Sequence, residues 1–392
     1  ASTEAKMKPE RSDFNKYSDN YSKSRNHHLR HMRRLAWRFR VNHKTSLTAC
    51  GLPADTLVKV VSDKNGSHFR GLWTCRRIHE CPVCAARIQN ERCQEIAKVI
   101  KQPDRHCVYL SLTLAHSKGD KLKPLIKILG RCWKRIRGGT FGRRAKKFGE
   151  IAYVKALDIT YGTGTKGHGW HPHFGALLIF DRELTEEEII ELKESALKSW
   201  IKALELDGRT ANEKGFYLEA LTGNKDATAN YFAKINSIAH EVASNTFKTG
   251  KTADHVNPWQ ILELAENSPY FVKLWQEYLR GIQGSRSIHY SRSWKKLVEE
   301  LPEEAEPEEP TPTLVIRASL YKHLRKNRDD DKVLEVCDRA SQGDIQAQMI
   351  LNGIKRVSNL CPVGKYKHFS YEKGYEEEVW KPLHNQLSLF CQ

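Results

Sequence analysis

Two apolar, strand-forming runs joined by a short glycine-rich connection constrain this chain more than any other feature. "IAYVKALDITYG" fills 151–162 and "WHPHFGALLIF" fills 170–180, with "TGTKGHG" lying between them. So short a connection joins antiparallel neighbours, because a parallel pair needs a crossover of a dozen or more residues. "HCVYLSLTLAH" (106–116) and "GFYLEAL" (215–221) predict two further strands. Helices are expected between them. Residues 121–137 carry an apolar side of Leu122, Leu125, Ile126, Ile128, Leu129 and Trp133. Residues 185–204 open on Thr185 with Glu188 three positions on, a capping-box pattern. Residues 226–243 open on Asp226, and "NPWQILELAE" and "PYFVKLWQEYLRGIQG" predict two more helices. The expected fold class is therefore α+β, an antiparallel sheet flanked by helices.

At 392 residues the chain has room for more than one domain. Residues 1–46 read as a basic arm, in which Arg33, Arg34 and Arg38 are candidates for contact with DNA phosphates. Residues 47–100 read as a cysteine-rich module and 101–300 as the domain built on the sheet. The acidic, proline-rich 301–313 reads as a linker and 314–392 as a mainly helical region. Lysine and arginine number 65 against 47 aspartates and glutamates, a net charge of +18, which suits a polyanionic partner such as nucleic acid. No apolar run approaches the roughly 18 residues that a membrane span needs. The polar N-terminal stretch lacks the apolar core of a secretory signal. The expected setting is cytoplasmic and reducing.

In such a setting clustered cysteines bind metal more often than they form disulfides. Cys50, Cys75, Cys81 and Cys84 are spaced x24, x5 and x2, and "CPVC" is a tight chelating turn. Four thiolates complete a closed tetrahedral Zn²⁺ site, which is structural because no coordination position stays open. His79 is the substitute ligand should Cys50 lie too far away.

His171 and His173 are two apart on a predicted strand, so their imidazoles share one face. Asp158, on the preceding strand, faces them across the hairpin, and His116 at the end of the first strand is a fourth candidate. Two histidines and a carboxylate with open positions hold a divalent cation and still admit a phosphate. Downstream, "YFAKI" puts Tyr231 and Lys234 on one helix face. A tyrosine phenolate can attack a phosphodiester to form a covalent intermediate. With an ordinary pKa near 10 it needs a nearby cation to do so.

Taken in order, "CG" at 50–51, "WTCRRIHECPVCAARI", "LTLAH", "GHGWHPHF", "YFAKI", "NPWQILELA" and "SIHYSRSWKKL" resemble the rolling-circle replication initiator (Rep) proteins of the HUH endonuclease superfamily, in particular the bacterial plasmid type. The match runs from about residue 47 to 300. The resemblance implies an antiparallel sheet flanked by helices, with Mg²⁺ or Mn²⁺ held by His171 and His173 and by Asp158 as third ligand. It implies Tyr231 as nucleophile on single-stranded origin DNA, with Lys234 at the phosphate. The region after residue 313 is a candidate to recruit a host helicase or to bind duplex origin DNA. Relatives often read "HPHFH", whereas Gly175 stands here in place of the last histidine, so that His171 or His116 must compensate. Relatives also place a glutamate one turn before the tyrosine. Here Ala227 takes that position, and Asp226 or Glu241 is the substitute. Three alternatives stay open on sequence alone: a transposase of the same chemistry, a non-catalytic zinc-ribbon DNA-binding protein, and an RNA-binding protein.

Overall fold

The computed structural model describes residues 28–42, 46–63, 66–163, 167–211, 215–221, 255–302, 310–361 and 384–387. A helical stretch covers 28–38. The strands β1 (Leu57–Asp63) and β2 (Gly66–Arg70) precede the helix α1 (Pro82–Ile100) and the strand β3 (His106–Leu112). Next come α2 (Leu122–Gly138), α3 (Thr140–Lys147), β4 (Glu150–Gly162), β5 (Gly169–Phe180), α4 (Glu186–Glu205) and β6 (Phe216–Ala220). The chain continues through β7 (His255–Val256), α5 (Pro258–Leu264), α6 (Pro269–Ile282), β8 (Ile288–Tyr290) and α7 (Trp294–Glu299). It ends in β9 (Leu314–Arg317), α8 (Ala318–Asn327), α9 (Asp330–Ser341) and α10 (Ile345–Leu360).

The chain forms two compact units. In the larger, an antiparallel sheet runs in the order β6-β3-β5-β4-β7, and β8 also pairs with β4. The hairpin expected from 151–180 is its centre, closing at the Gly162–Gly169 pair. Successive side chains on β5 point to opposite faces. Phe174 lies on one face, where Trp133 of α2 meets it edge-on at 6.2 Å and meets Tyr153 at 5.5 Å. Leu177 and Ile179 lie on the other, in a core with Ile96 and Ile100 of α1 and with Trp294 and Leu297 of α7. The capping box at Thr185 and Glu188 forms as expected. The "NPWQ" segment is a second capping box: Asn257 accepts from the Gln260 amide, Gln260 accepts from the Asn257 amide, and Pro258 needs no partner in the first turn.

The smaller unit holds the sheet β2-β1-β9, all antiparallel, with α8, α9 and α10. Val58, Val60, Leu314 and Ile316 turn one face of this sheet into a core with Leu320, Leu324, Val333 and Ile354. This differs from the expected division. Residues 57–70 do not belong with 82–100 in one cysteine-rich module, and 314–317 is not helical. The two stretches are strands that pair with each other, from Leu57–Arg317 to Val60–Leu314. Alternating Val58 and Val60 need an apolar face to cover and β1 needs a second edge partner, and "LVIR" supplies both. Among the described residues no helix is long and apolar enough to cross a membrane. The predicted helix 226–243, with Tyr231, Lys234 and Glu241, lies outside the described residues.

Candidate active site and metal centres

The four cysteines come together. The Sγ atoms of Cys50, Cys75, Cys81 and Cys84 all lie within 4.8 Å of one another, and Cys50, Cys81 and Cys84 are buried. Tetrahedral zinc with Zn–S bonds of about 2.3 Å separates its sulfurs by ~3.8 Å, so this set fits a metal ion such as zinc. His79 is not a member: its Nδ1 lies 3.2 Å from the Tyr278 hydroxyl. Burial, helped by Arg92, pushes the His79 imidazole down to about 4, so it is neutral at pH 7.

The histidine face is assembled by the hairpin register. Asp158 pairs with His173, Thr160 with His171 and Gly162 with Gly169, and paired residues project to the same side. The Asp158 Oδ2 to His173 Nε2 distance is 3.2 Å, and the other Asp158 oxygen accepts from the Ile159 amide at 2.8 Å. His116 comes from the loop after β3, and a glycine lets it arrive. Gly169 has φ +77, and a Cβ built there would sit 3.0 Å from the Lys118 Cα. A side chain at 169 would push the 116–120 loop away.

His116 Nδ1 lies 3.2 Å from the His168 carbonyl oxygen, which can only accept, so this nitrogen carries the proton. His116 Nε2 is then a bare lone pair, 2.6 Å from His171 Nδ1. Burial first, then the neighbouring His173, His116 and His255, pushes the His171 imidazole down to about 3, and burial also lowers His116. Both rings are neutral, the state a metal ligand needs. Nitrogens at adjacent positions on one cation lie ~3.0 Å apart for bonds of about 2.1 Å. The pair therefore fits a divalent ion after opening by a few tenths of an ångström. The four groups stand as two hydrogen-bonded pairs, His116 with His171 and His173 with Asp158. Among the described residues, the cysteines are the group whose ligand atoms already converge.

Gly175 has a structural reason. It lies two residues beyond His173 on the same face, and a Cβ there would meet the Tyr109 hydroxyl at 3.0 Å. The Tyr109 phenol fills the space in which a further histidine would stand. Sequence reasoning missed Tyr109, and it missed His255, which β7 pairs with Gly162 beside His171. The signal for His255 was its place two residues before the capping box at Asn257. Of the arm residues, Arg33 is only 7% exposed and so is not a surface phosphate contact, whereas Arg38 is exposed with its guanidinium 5.2 Å over the Phe39 ring. Arg34 is half-buried.

A family model described as "Replication protein" matches residues 67–328. This chain belongs to the replication protein (Rep) family. Among similar proteins, a "Protein rep" of Streptomyces lividans is 26% identical over 314 residues, covering 63% of this chain and 68% of that protein. A "Protein rep" of Bacillus amyloliquefaciens is 28% identical over 138 residues, covering 33% of this chain and 38% of that protein. No solved structure matches the chain. Within the Rep match lie the histidine face, three of the four cysteines and the segment that carries Tyr231.

Proposed function

We propose that this Rep-family protein nicks single-stranded origin DNA and so starts rolling-circle replication of a plasmid, by HUH-type chemistry with Tyr231 as nucleophile. The observation that carries this reading is the gathering of His116, His171, His173 and Asp158 on one sheet face of a replication protein. In this reading the Tyr231 oxygen attacks phosphorus and the bond to the 3′ oxygen breaks. The tyrosine gives up a proton and the leaving 3′ oxygen gains one. The products are a 5′-phosphotyrosine and a 3′-hydroxyl that primes synthesis.

The three histidines, with Asp158 orienting His173 or joining it as a ligand, hold Mg²⁺ or Mn²⁺. That ion withdraws charge from the scissile phosphate when bound. Lys234, one helical turn from Tyr231, adds positive charge at the same phosphate. Glu241 or Asp226 takes a proton from water when the adduct is resolved. The cysteine cluster holds zinc for structure, and Arg34 and Arg38 meet phosphates of origin DNA outside the site. A host helicase unwinds the duplex from the nick.

The test is a denaturing gel of labelled single-stranded oligonucleotides, including a random-sequence pool, incubated with the protein and Mn²⁺. A covalently shifted band that needs metal, disappears with EDTA and is absent in Tyr231→Phe is the expected result. An adduct that persists in Tyr231→Phe assigns the nucleophile elsewhere, first to Tyr217, which is half exposed on β6. No adduct on any sequence of the pool overturns the reading.

A further inference from the structure

The helical layer on the opposite face of the sheet carries an unusual charge distribution. Between residues 121 and 149 there are eleven lysines and arginines and no aspartate or glutamate. The apolar side of α2 is buried, with Leu122, Leu125, Leu129 and Trp133 inside, so its cations point outward. Lys123, Lys127 and Lys134 fall within about 40° of one another around the helix, at 100° per residue. All three are exposed and form no ion pair among the described residues. Acidic partners reach only the flanks of this surface: Asp207 takes Arg131 and Arg135, Glu150 takes Arg137, Glu191 takes Arg144 and Glu277 takes Lys121. Beyond α2, the exposed Arg143, Lys146 and Lys147 of α3 continue the positive surface.

A second, independent observation lies in the middle of the stripe. Gly130 sits in the interior of α2, where glycine costs about 1 kcal/mol relative to alanine. A Cβ built there meets nothing within 4 Å, so no packing inside the protein requires a glycine. An open glycine flanked by three lysines leaves the helix backbone bare to something that approaches from outside. Beside it, Lys123, Lys127 and Arg131, with Pro124 and Ile128, line a surface hollow of about 270 Å³.

We propose that this face of α2 and α3 is a second DNA-binding surface, one that grips the phosphate backbone of duplex DNA. The residues decide between kinds of polyanion. Single strands are held by exposed aromatic rings on which bases stack. The aromatic residues of this layer, Trp133, Phe141 and Phe148, are all buried. Lipid surfaces are held by cations with exposed apolar side chains beside them, and here Leu122, Leu125, Ile126 and Leu129 are buried and Ile128, at the floor of the hollow, is only 8% exposed. What remains is cation and backbone, which suits the dense phosphate charge of a duplex without sequence readout. Because Trp133 covers the Phe174 side of β5 and His173 points to the other, this surface and the histidine face look away from each other.

The test compares the full chain with Lys123→Gln/Lys127→Gln/Lys134→Gln and with Gly130→Glu. The probes are a labelled 20-base-pair duplex of arbitrary sequence, a single-stranded oligonucleotide and anionic vesicles, each titrated at several salt concentrations. The readout is binding, so the result does not depend on whether Tyr231 nicks DNA. The triple variant is expected to bind duplex at least tenfold more weakly at 0.1 M salt. Its salt slope should fall by about 2 to 3, at roughly 0.9 per lost phosphate contact. Gly130→Glu, which removes no cation and whose Cβ has open space, is expected to weaken duplex binding about fivefold or more. Single-strand binding should stay within twofold for both. Unchanged duplex affinity and slope overturn the proposal. So does an equal loss on single strands, which assigns the lysines to the single-strand track, or a loss confined to vesicles.

Discussion

The cysteine cluster and the histidine face are both candidate metal centres, yet they are built differently. In the first, four sulfurs of one kind already lie mutually close, with no other group among them. In the second, each of the four groups makes at least one polar contact to His168, Ile159 or a neighbouring candidate ligand. A centre that only ties chain together gains from a closed set of ligands. A centre that must admit a phosphate keeps positions open, and its ligands are oriented by groups that are not ligands themselves.

The sharpest way to break this comparison is to remove one ligand from each centre. Cys84→Ser, or stripping zinc with a chelator at neutral pH, is expected to abolish cooperative folding or lower Tm by more than about 10 °C, because structural zinc contributes of order 10 kcal/mol. An unchanged melt would rule out a structural metal. His171→Gln is expected to lower nicking at least about 100-fold while Tm moves by no more than a few degrees, on the scale at which site substitutions cost metal proteins activity. Equal loss of folding in both variants would erase the distinction.

Asp158→Asn then asks whether the carboxylate orients or ligates. As a positioning group it should cost nicking about ten- to a hundredfold, with Mn²⁺ titration midpoints shifted less than in His171→Gln. Gly175→Ala should destabilise by about 1–2 kcal/mol in urea unfolding, as overpacking does. Tyr109→Phe, which removes the offending hydroxyl, should restore most of that. The smallest effect is one of acidity. The folded state refuses a proton on His79 until about pH 4, whereas the unfolded chain accepts it near 6.5. Stability should therefore fall as pH drops from about 6.5 to 4, and His79→Asn should flatten that part of a Tm-against-pH curve.

The centre of the fold was legible because its signals are local. β4 and β5 are long and apolar, and Gly162 and Gly169 mark their turn. Thr185 with Glu188 fixes the start of α4 for the same reason. The His171–His173 spacing is likewise a strand rule that needs no partner. What escaped the reading depends on distant pairing. β1 and β2 pair antiparallel from Lys59–Arg70 to Asp63–Gly66, but Lys59, Ser62 and His68 dilute the apolar alternation. "LVIR" at 314–317 is too short to declare itself a strand until β1 is known. His255 lies on a two-residue strand with no periodicity at all, and the conflict between Gly175 and Tyr109 appears only once β3 is set beside β5.

The pairing of β1 with β9 also sets an order of events during synthesis. Leu57 waits for Arg317, 317 − 57 = 260 residues later. At about 5–20 residues per second the ribosome needs on the order of ten seconds to a minute to deliver the partner strand. All the strands of the six-stranded sheet have emerged by then, and β1 must keep one edge unpaired meanwhile. A ribosome stalled before residue 314 would thus hold a nascent chain able to complete its histidine face while β1 still presents an open edge, a template for wrong pairing.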